Sequence, residues 1–267
     1  FTQMAPDDAR APQAYVNSLK ASIYDLNSSS RSTESLKIIS QFEGSHTLNK
    51  TSIDFAQAAP LIHHLKAILY WQQGSQTKAF QIWSRWLEEY KEHYLTAEVR
   101  LWLAYYHCLN PHPKYKIAAE LYETVLQASK EFPLKGFTLL QYSKVRYKQS
   151  KFTNTKELLK KSETFYRNIK AEPGSAENLA AVLFFSGEVN CRTGDYTIAA
   201  KYFTDAITLS GHELTRQALK GRLGDCYFSM ANKLKGDVDT LETHLELLNK
   251  AKVIYGEVYS YKESPPA

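Results

Sequence analysis

An all-α fold, with about six antiparallel helical hairpins stacked as an α-solenoid, is predicted by three features of this 267-residue chain. The stretch GDYTIAAKYFTDAITL, Gly194 to Leu209, places Ala199, Phe203 and Ala206 at i, i+4 and i+7 behind a Gly194-Asp195 turn. Small, aromatic and small side chains then share one helix face, where a neighbouring helix can approach closely. Related triplets recur along the chain, and no segment shows the period-2 alternation between turn signals that strands require.

Turn signals divide the chain into about twelve amphipathic helices. They fall at Ser28–Ser32, Gly44–Lys50, Gln72–Gln76, Asn110–Lys114, Phe132–Gly136, Glu172–Ser175, Thr193–Asp195, Ser210–Glu213 and Leu234–Asp239. The hairpins they bound run over residues 11–43, 51–93, 96–130, 134–170, 175–210 and 213–262. We read 11–262 as one repeat domain between an N-terminal extension, 1–10, and a tail, 263–267. Ser175 after Pro173-Gly174, and Asn154 ahead of Glu157, are expected as helix caps. Gly211 is expected as the C′ glycine that closes the preceding helix.

The second helix of each hairpin carries the triplet. It reads Ala79-Trp83-Leu87, Ala118-Tyr122-Val125, Thr155-Leu159-Ser162, Ala199-Phe203-Ala206 and Ala251-Tyr255-Val258. The first hairpin matches poorly. The period is loose because the extra residues fall in turns, where stacked repeats absorb insertions.

The region resembles tetratricopeptide (TPR) repeats, helix–turn–helix units of 34 residues. The fifth hairpin carries the likeness best, with Leu183 and Gly187 at the large and small positions, then the Gly194-Asp195-Tyr196 turn and its triplet. Leu223-Gly224 and Tyr227 match L-G-x-x-Y in the sixth. Ala67, Tyr70 and Gly74 precede the second triplet. The resemblance implies a right-handed solenoid whose first helices line a concave groove.

Composition bounds the function. Aromatics make up 13% of the chain, with eighteen Tyr and four Trp, which argues for a packed core and against disorder. Cys108, Cys191 and Cys226 are odd in number and widely spaced. Neither a disulfide scaffold nor a zinc site is expected, and buried thiols in a reducing, intracellular compartment, the cytoplasm with the nucleus as the alternative, are the preferred reading. No apolar run is long enough for a membrane span. The chain begins at Phe1 rather than Met, which reads as a processed fragment. The net charge is +5, yet residues 134–171 alone carry ten basic residues against Glu157 and Glu163.

Catalytic patterns are thin: there is no P-loop, GxGxxG, GxSxG or HExxH. His63 and His64 point about 100° apart on a helix and suit no single metal. Glu88-Glu89 reads as solvated surface. Trp83-Ser-Arg-Trp86 resembles prenyltransferase-type helical repeats only faintly, and Trp83 already has a packing role. No enzyme activity, metal or cofactor is expected.

Mapping the resemblance onto the first helices places groove candidates residue by residue. They are Arg100 and His107 in the third hairpin, Lys144, Tyr147 and Lys148 in the fourth, Glu188 and Arg192 in the fifth, and Arg222 and Asp225 in the sixth. Phe184, Phe228, Leu103 and Leu140 stand beside them, with inter-repeat core as the blander reading of Phe184, Leu103 and Leu140. The carboxylate clamp of chaperone-tail binders is absent, since Phe184 and Glu188 fill its positions. A basic patch of Arg146, Lys151, Lys156, Lys160 and Lys161 is expected next door. The function expected is therefore a scaffold or adaptor that binds a peptide segment of another protein, acidic in character. The alternative is a nucleic-acid-associated helical repeat, or the partner-binding half of a transcription regulator, using residues 134–171.

Overall fold

A computed structural model describes residues 36–37, 39–40, 53–128, 132–169, 172–236 and 238–263. The expected first hairpin, the N-terminal extension and most of the tail lie outside the described residues. What is described of residues 36–40 is helical, and Ile39 is buried against Ile62, Leu65 and Leu69.

Among the described residues ten α-helices follow in order: α1 (Ile53–Gln72), α2 (Gln76–Glu89), α3 (Thr96–Leu109), α4 (Tyr115–Ala128), α5 (Lys135–Lys148), α6 (Phe152–Asn168), α7 (Ser175–Arg192), α8 (Tyr196–Leu209), α9 (Glu213–Lys233) and α10 (Leu241–Glu263). A single 3₁₀ turn, Val238–Thr240, precedes α10. There is no strand among the described residues. Helices pair in sequence, α1 with α2 through α9 with α10, and these pairs are the five described hairpins expected from the turn signals. The chain divides into two compact units, Phe1–Ser129 and Lys130–Ala267.

The triplets supply packing residues, least fully in α10, where Ala251 is buried, Val258 half-buried and Tyr255 38% exposed. Ala118, Tyr122 and Val125 are fully buried, as are Ala199, Phe203 and Ala206; Thr155, Leu159 and Ser162 are buried too. In α2 the third place shifts: Trp86 is buried with Ala79 and Trp83, while Leu87 is half-buried. Trp86 earns that place by donating its indole N–H to the Pro60 carbonyl of α1 at 2.6 Å.

Several rings of the C-terminal unit face a gap left by a glycine. A Cβ at Gly187 of α7 would sit 2.6 Å from Phe203 of α8, and one at Gly224 of α9 would sit 2.7 Å from Tyr255 of α10. Gly136 of α5 is matched in the same way by Phe165 and Tyr166, and its carbonyl accepts a bond from Ser162 at 2.8 Å.

The α7–α8 turn closes as its sequence predicts. Gly194 takes φ 82°, and the Asp195 N–H reaches back to the Asn190 carbonyl at 2.9 Å. This six-to-one bond satisfies a carbonyl that the helix end leaves open.

Three capping expectations are corrected. Asn154 is not a cap, because α6 begins earlier, at Phe152, whose ring packs against Tyr147. Ser175 is not a cap either: Gly174, at φ 76°, occupies that place, and Ser175 is the first helical residue, with its hydroxyl buried. Gly211 is not a left-handed terminator, since α8 ends through extended backbone at Ser210, with ψ 120°.

The gap at Gly187 yields a prediction with a change of sign. Phe203→Ala should destabilise the C-terminal unit by about 3–5 kcal/mol. Gly187→Ala should cost about 1–3 kcal/mol by overpacking the ring. In the Phe203→Ala background the clash is gone, and Gly187→Ala should then stabilise by up to about 1 kcal/mol through helix propensity. Denaturant unfolding of the four chains, followed by circular dichroism, reads all three values; a cost for Gly187→Ala that persists without the ring would refute the account.

Candidate binding face

The C-terminal unit brings three of the expected groove residues, Glu188, Arg222 and Asp225, close together. Arg222 of α9 reaches back across the hairpin boundary to Glu188 of α7. Its Nε donates to Oε1 at 2.6 Å and its Nη2 to Oε2 at 3.1 Å. This two-point geometry is the one that guanidinium and carboxylate match best. The remaining Nη1 donates to Asp225 Oδ2 at 2.6 Å, and Tyr255 Oη of α10 donates to Asp225 Oδ1 at 2.8 Å. The hydrogen bond to Glu188, followed by the charges of Glu188 and Asp225, raises the Arg222 pKa against the opposing effect of burial, so its charge is permanent. Burial, then the bond to Asp225, pushes the Tyr255 hydroxyl up to about 12.

Apolar surface flanks this ionic group. Phe184, one turn before Glu188, is 40% exposed, and Phe228, one turn after Asp225, is 46% exposed. Phe184 leans on Phe203 with centroids 6.1 Å apart, so its base is supported and its outer face is open. Arg192 is exposed at the end of α7.

On α5, Lys144 and Lys148 are exposed. Lys144 reaches solvent past crowded helices, and desolvation lowers its pKa from the ordinary lysine value. Tyr147 serves packing: it meets Phe152 and Phe185 edge-on, with centroids at 5.7 and 5.4 Å. Leu140 is buried, as its blander reading had it.

The basic patch is only partly available to a ligand. Arg146 lies over the Tyr142 ring at 4.8 Å, donates to the Tyr142 hydroxyl, and bonds Gln149 at 3.0 Å. Lys156 ties α6 to the α7–α8 turn, with Nζ 2.7 Å from Asp195 Oδ2 and 3.0 Å from the Thr193 hydroxyl. That contact, helped by Thr193, holds the Asp195 carboxyl below its usual range. Lys148, Lys151, Lys160 and Lys161 are exposed.

Arg100 and His107 belong to the N-terminal unit. Arg100 is half-buried. His107 packs against Phe80, with its Nδ1 sealed from solvent, and burial followed by the nearby Lys114 charge lowers its pKa. Leu103 is buried, again as the blander reading had it. The unit's main polar feature lies at His64, which is 2% exposed. Trp83 donates its indole N–H to His64 Nδ1 at 3.1 Å, which assigns the ring proton to Nε2, 3.3 Å from Glu98 Oε1. His64 is thus a buried core histidine with Nδ1 hydrogen-bonded and Nε2 facing a carboxylate. Among the described residues no group of three or more His, Cys, Asp or Glu is placed to hold a metal, and no helix is long and apolar enough to cross a membrane.

Two elements of the face escaped the sequence. The triplet places Tyr255 in packing alone; a tyrosine where phenylalanine would fill the gap is the signal that its hydroxyl has a partner. Cys226 was read as a buried thiol, and its Sγ lies 3.4 Å from that of Cys191.

No family model matches the chain, and no curated protein does. Solved structures do match. BtubC from P. vanneervenii aligns at 16% identity over 96% of both chains, with a TM-score of 0.55. The Podosopora anserina putative kinesin light chain, with nearly identical TPR-like repeats, aligns at 17% identity over 76% of this chain and 96% of its own, with a TM-score of 0.54. The quorum sensor NprR from B. thuringiensis, in its apo form, aligns at 14% identity over 98% of this chain and 68% of its own, with a TM-score of 0.64. A second NprR structure, in complex with its cognate peptide NprX, aligns at 14% identity over 99% of this chain and 77% of its own, with a TM-score of 0.56. At such identities the likeness establishes the fold, which is TPR-like.

Glu98 generates a prediction for the N-terminal unit. Burial opposes its ionisation, but the hydrogen bond from His64, aided by the Trp102 indole, outweighs burial and holds its pKa below the ordinary 4.5. A depressed carboxylate stabilises the fold fully above its unfolded value, and that stability is lost as pH falls through the folded value. All four tryptophans, Trp71, Trp83, Trp86 and Trp102, lie in this unit, so indole fluorescence reports on it alone. The fluorescence-detected denaturation midpoint should fall as pH drops below 4.5. Glu98→Gln should flatten that dependence; an unchanged slope would show that other carboxylates carry it.

Proposed function

We propose that this chain is a non-enzymatic interaction module, a scaffold or adaptor subunit of a larger complex, which takes a peptide segment of a partner protein on the α7–α9 face. The observation that carries the reading is the pair of exposed rings, Phe184 and Phe228, flanking the Glu188–Arg222–Asp225 group. Aromatic anchors supply contact area at little entropic cost, and an ordered ionic group beside them fixes register and charge preference. The fold likeness supports it, since NprR has been solved with its cognate peptide.

Lys144 and Lys148 on α5, and Arg192 on α7, favour an acidic segment. The nucleic-acid reading has less support. Stacking on bases needs open rings, but Tyr142 is buried and Tyr147 is packed, while Arg146 and Lys156 are engaged within the fold. Three free thiols suit a reducing, intracellular compartment.

The test compares partners captured by the intact chain with those captured by a Phe184→Ala/Phe228→Ala variant and a Lys144→Glu/Lys148→Glu variant, read by mass spectrometry. A partner lost from both variants, then shown to bind the wild type at least about tenfold more tightly than the ring variant, is the expected result. Partners retained equally by all three chains would place the interaction elsewhere. Binding of a random oligonucleotide that weakens with salt and vanishes in the lysine variant would favour nucleic acid instead.

A further inference from the structure

We infer that Cys191 and Cys226 form an oxidisable dithiol, a covalent modification site that reacts with small-molecule disulfides and staples α7 to α9. The inference does not depend on the peptide-binding reading.

The geometry places two free thiols on adjacent hairpins with their sulfurs 3.4 Å apart, in contact and unbonded. A disulfide is about 2.05 Å long, so the sulfurs must close by about 1.4 Å, within reach of side-chain rotation and small helix shifts. The helices are already held in register by the Glu188–Arg222 pair, three residues before Cys191 and four before Cys226. The two thiols are unequally accessible: Cys226 is fully buried and Cys191 is half-buried at the last turn of α7. A reagent therefore meets Cys191 first and finds Cys226 behind it.

Electrostatics divides the roles in the same sense. The hydrogen bond from Cys226, then the Arg222 charge, lowers the Cys191 pKa, although burial, Glu188 and Asp225 oppose this. The bond to Cys191, then burial, raises that of Cys226. The more ionised, more exposed thiol is the one suited to attack.

With oxidised glutathione the steps balance. The Cys191 thiolate attacks one glutathione sulfur, a mixed disulfide forms, and one glutathione thiolate leaves. Cys226 then gives up its proton and its sulfur attacks Cys191 Sγ; the mixed bond breaks and the second glutathione leaves. The protein loses two hydrogens, and one oxidised glutathione becomes two reduced molecules. Cys108 is the internal control: burial pushes its thiol up, its hydrogen-bond partner is Tyr122, and its unit holds no other cysteine.

The experiment incubates the intact chain in mixtures of reduced and oxidised glutathione, blocks remaining thiols by alkylation, and maps tryptic peptides. The expected product is about 2 Da lighter than the reduced chain before alkylation, with peptides 171–192 and 223–233 joined and Cys108 alkylated. Cys226→Ser should accumulate the mixed disulfide at Cys191. Cys191→Ser should take up no glutathione at Cys226 while the chain is folded. Because Cys226→Ser alters a buried site, the wild-type peptide map is decisive by itself. Alkylation of Cys226 in a chain whose Cys191 remains glutathionylated would overturn the inference, as would disulfides formed only between chains.

Discussion

Helix packing in the C-terminal unit depends on removing a side chain. Phe203 and Tyr255 lie against the bare backbone of Gly187 and Gly224, and Phe165 and Tyr166 against that of Gly136. A ring that touches backbone draws its two helices nearer than Cβ atoms would allow, and the remaining core residues fill the space set by that distance. The rest of each hairpin is tolerant by comparison. Turns lengthen, as between α9 and α10, and caps vary, yet the small-against-large contact is kept.

That contact also decides where the charges go. Glu188 follows Gly187 in sequence, Asp225 follows Gly224, and Lys144 follows the fully buried Ser143. A residue one step along a helix points about 100° away from its predecessor. Once the small residue is turned into the hairpin, its successor is turned onto a neighbouring face. The row of charged residues is therefore a by-product of packing, and only the choice of residue type at each place remains open to function.

The fold was legible because its signal is local. A triplet at i, i+4, i+7, a Gly-Asp turn and a small residue upstream lie within one hairpin, so the residues name their own partners. Glu188, Arg192, Arg222 and Asp225 are placed on a face only through the resemblance, which supplies the inward positions of each first helix. What joins one hairpin to the next was not legible, because it depends on the register between helices separated by turns of variable length. The Glu188–Arg222 pair and the Cys191–Cys226 contact span that gap, and their residue types alone do not announce them. The capping errors have a related origin. Asn154 and Ser175 have the right chemistry for caps, but the packing of Phe152 and the left-handed Gly174 set the helix starts. In the N-terminal unit the sequence does not show that His64 is buried, because its partners Trp83 and Glu98 come from two other helices.

Polar links between the last hairpins run in one direction along the chain. Lys156 waits for Asp195, Glu188 for Arg222, and the Gly194 carbonyl for Lys233. In each case the later residue belongs to the following hairpin. A chain emerging from the ribosome therefore finds each new hairpin's partner already made, and no contact of this kind has to wait for the far end of the protein. Assembly can follow the order of synthesis, with the newest hairpin always docking on a finished one.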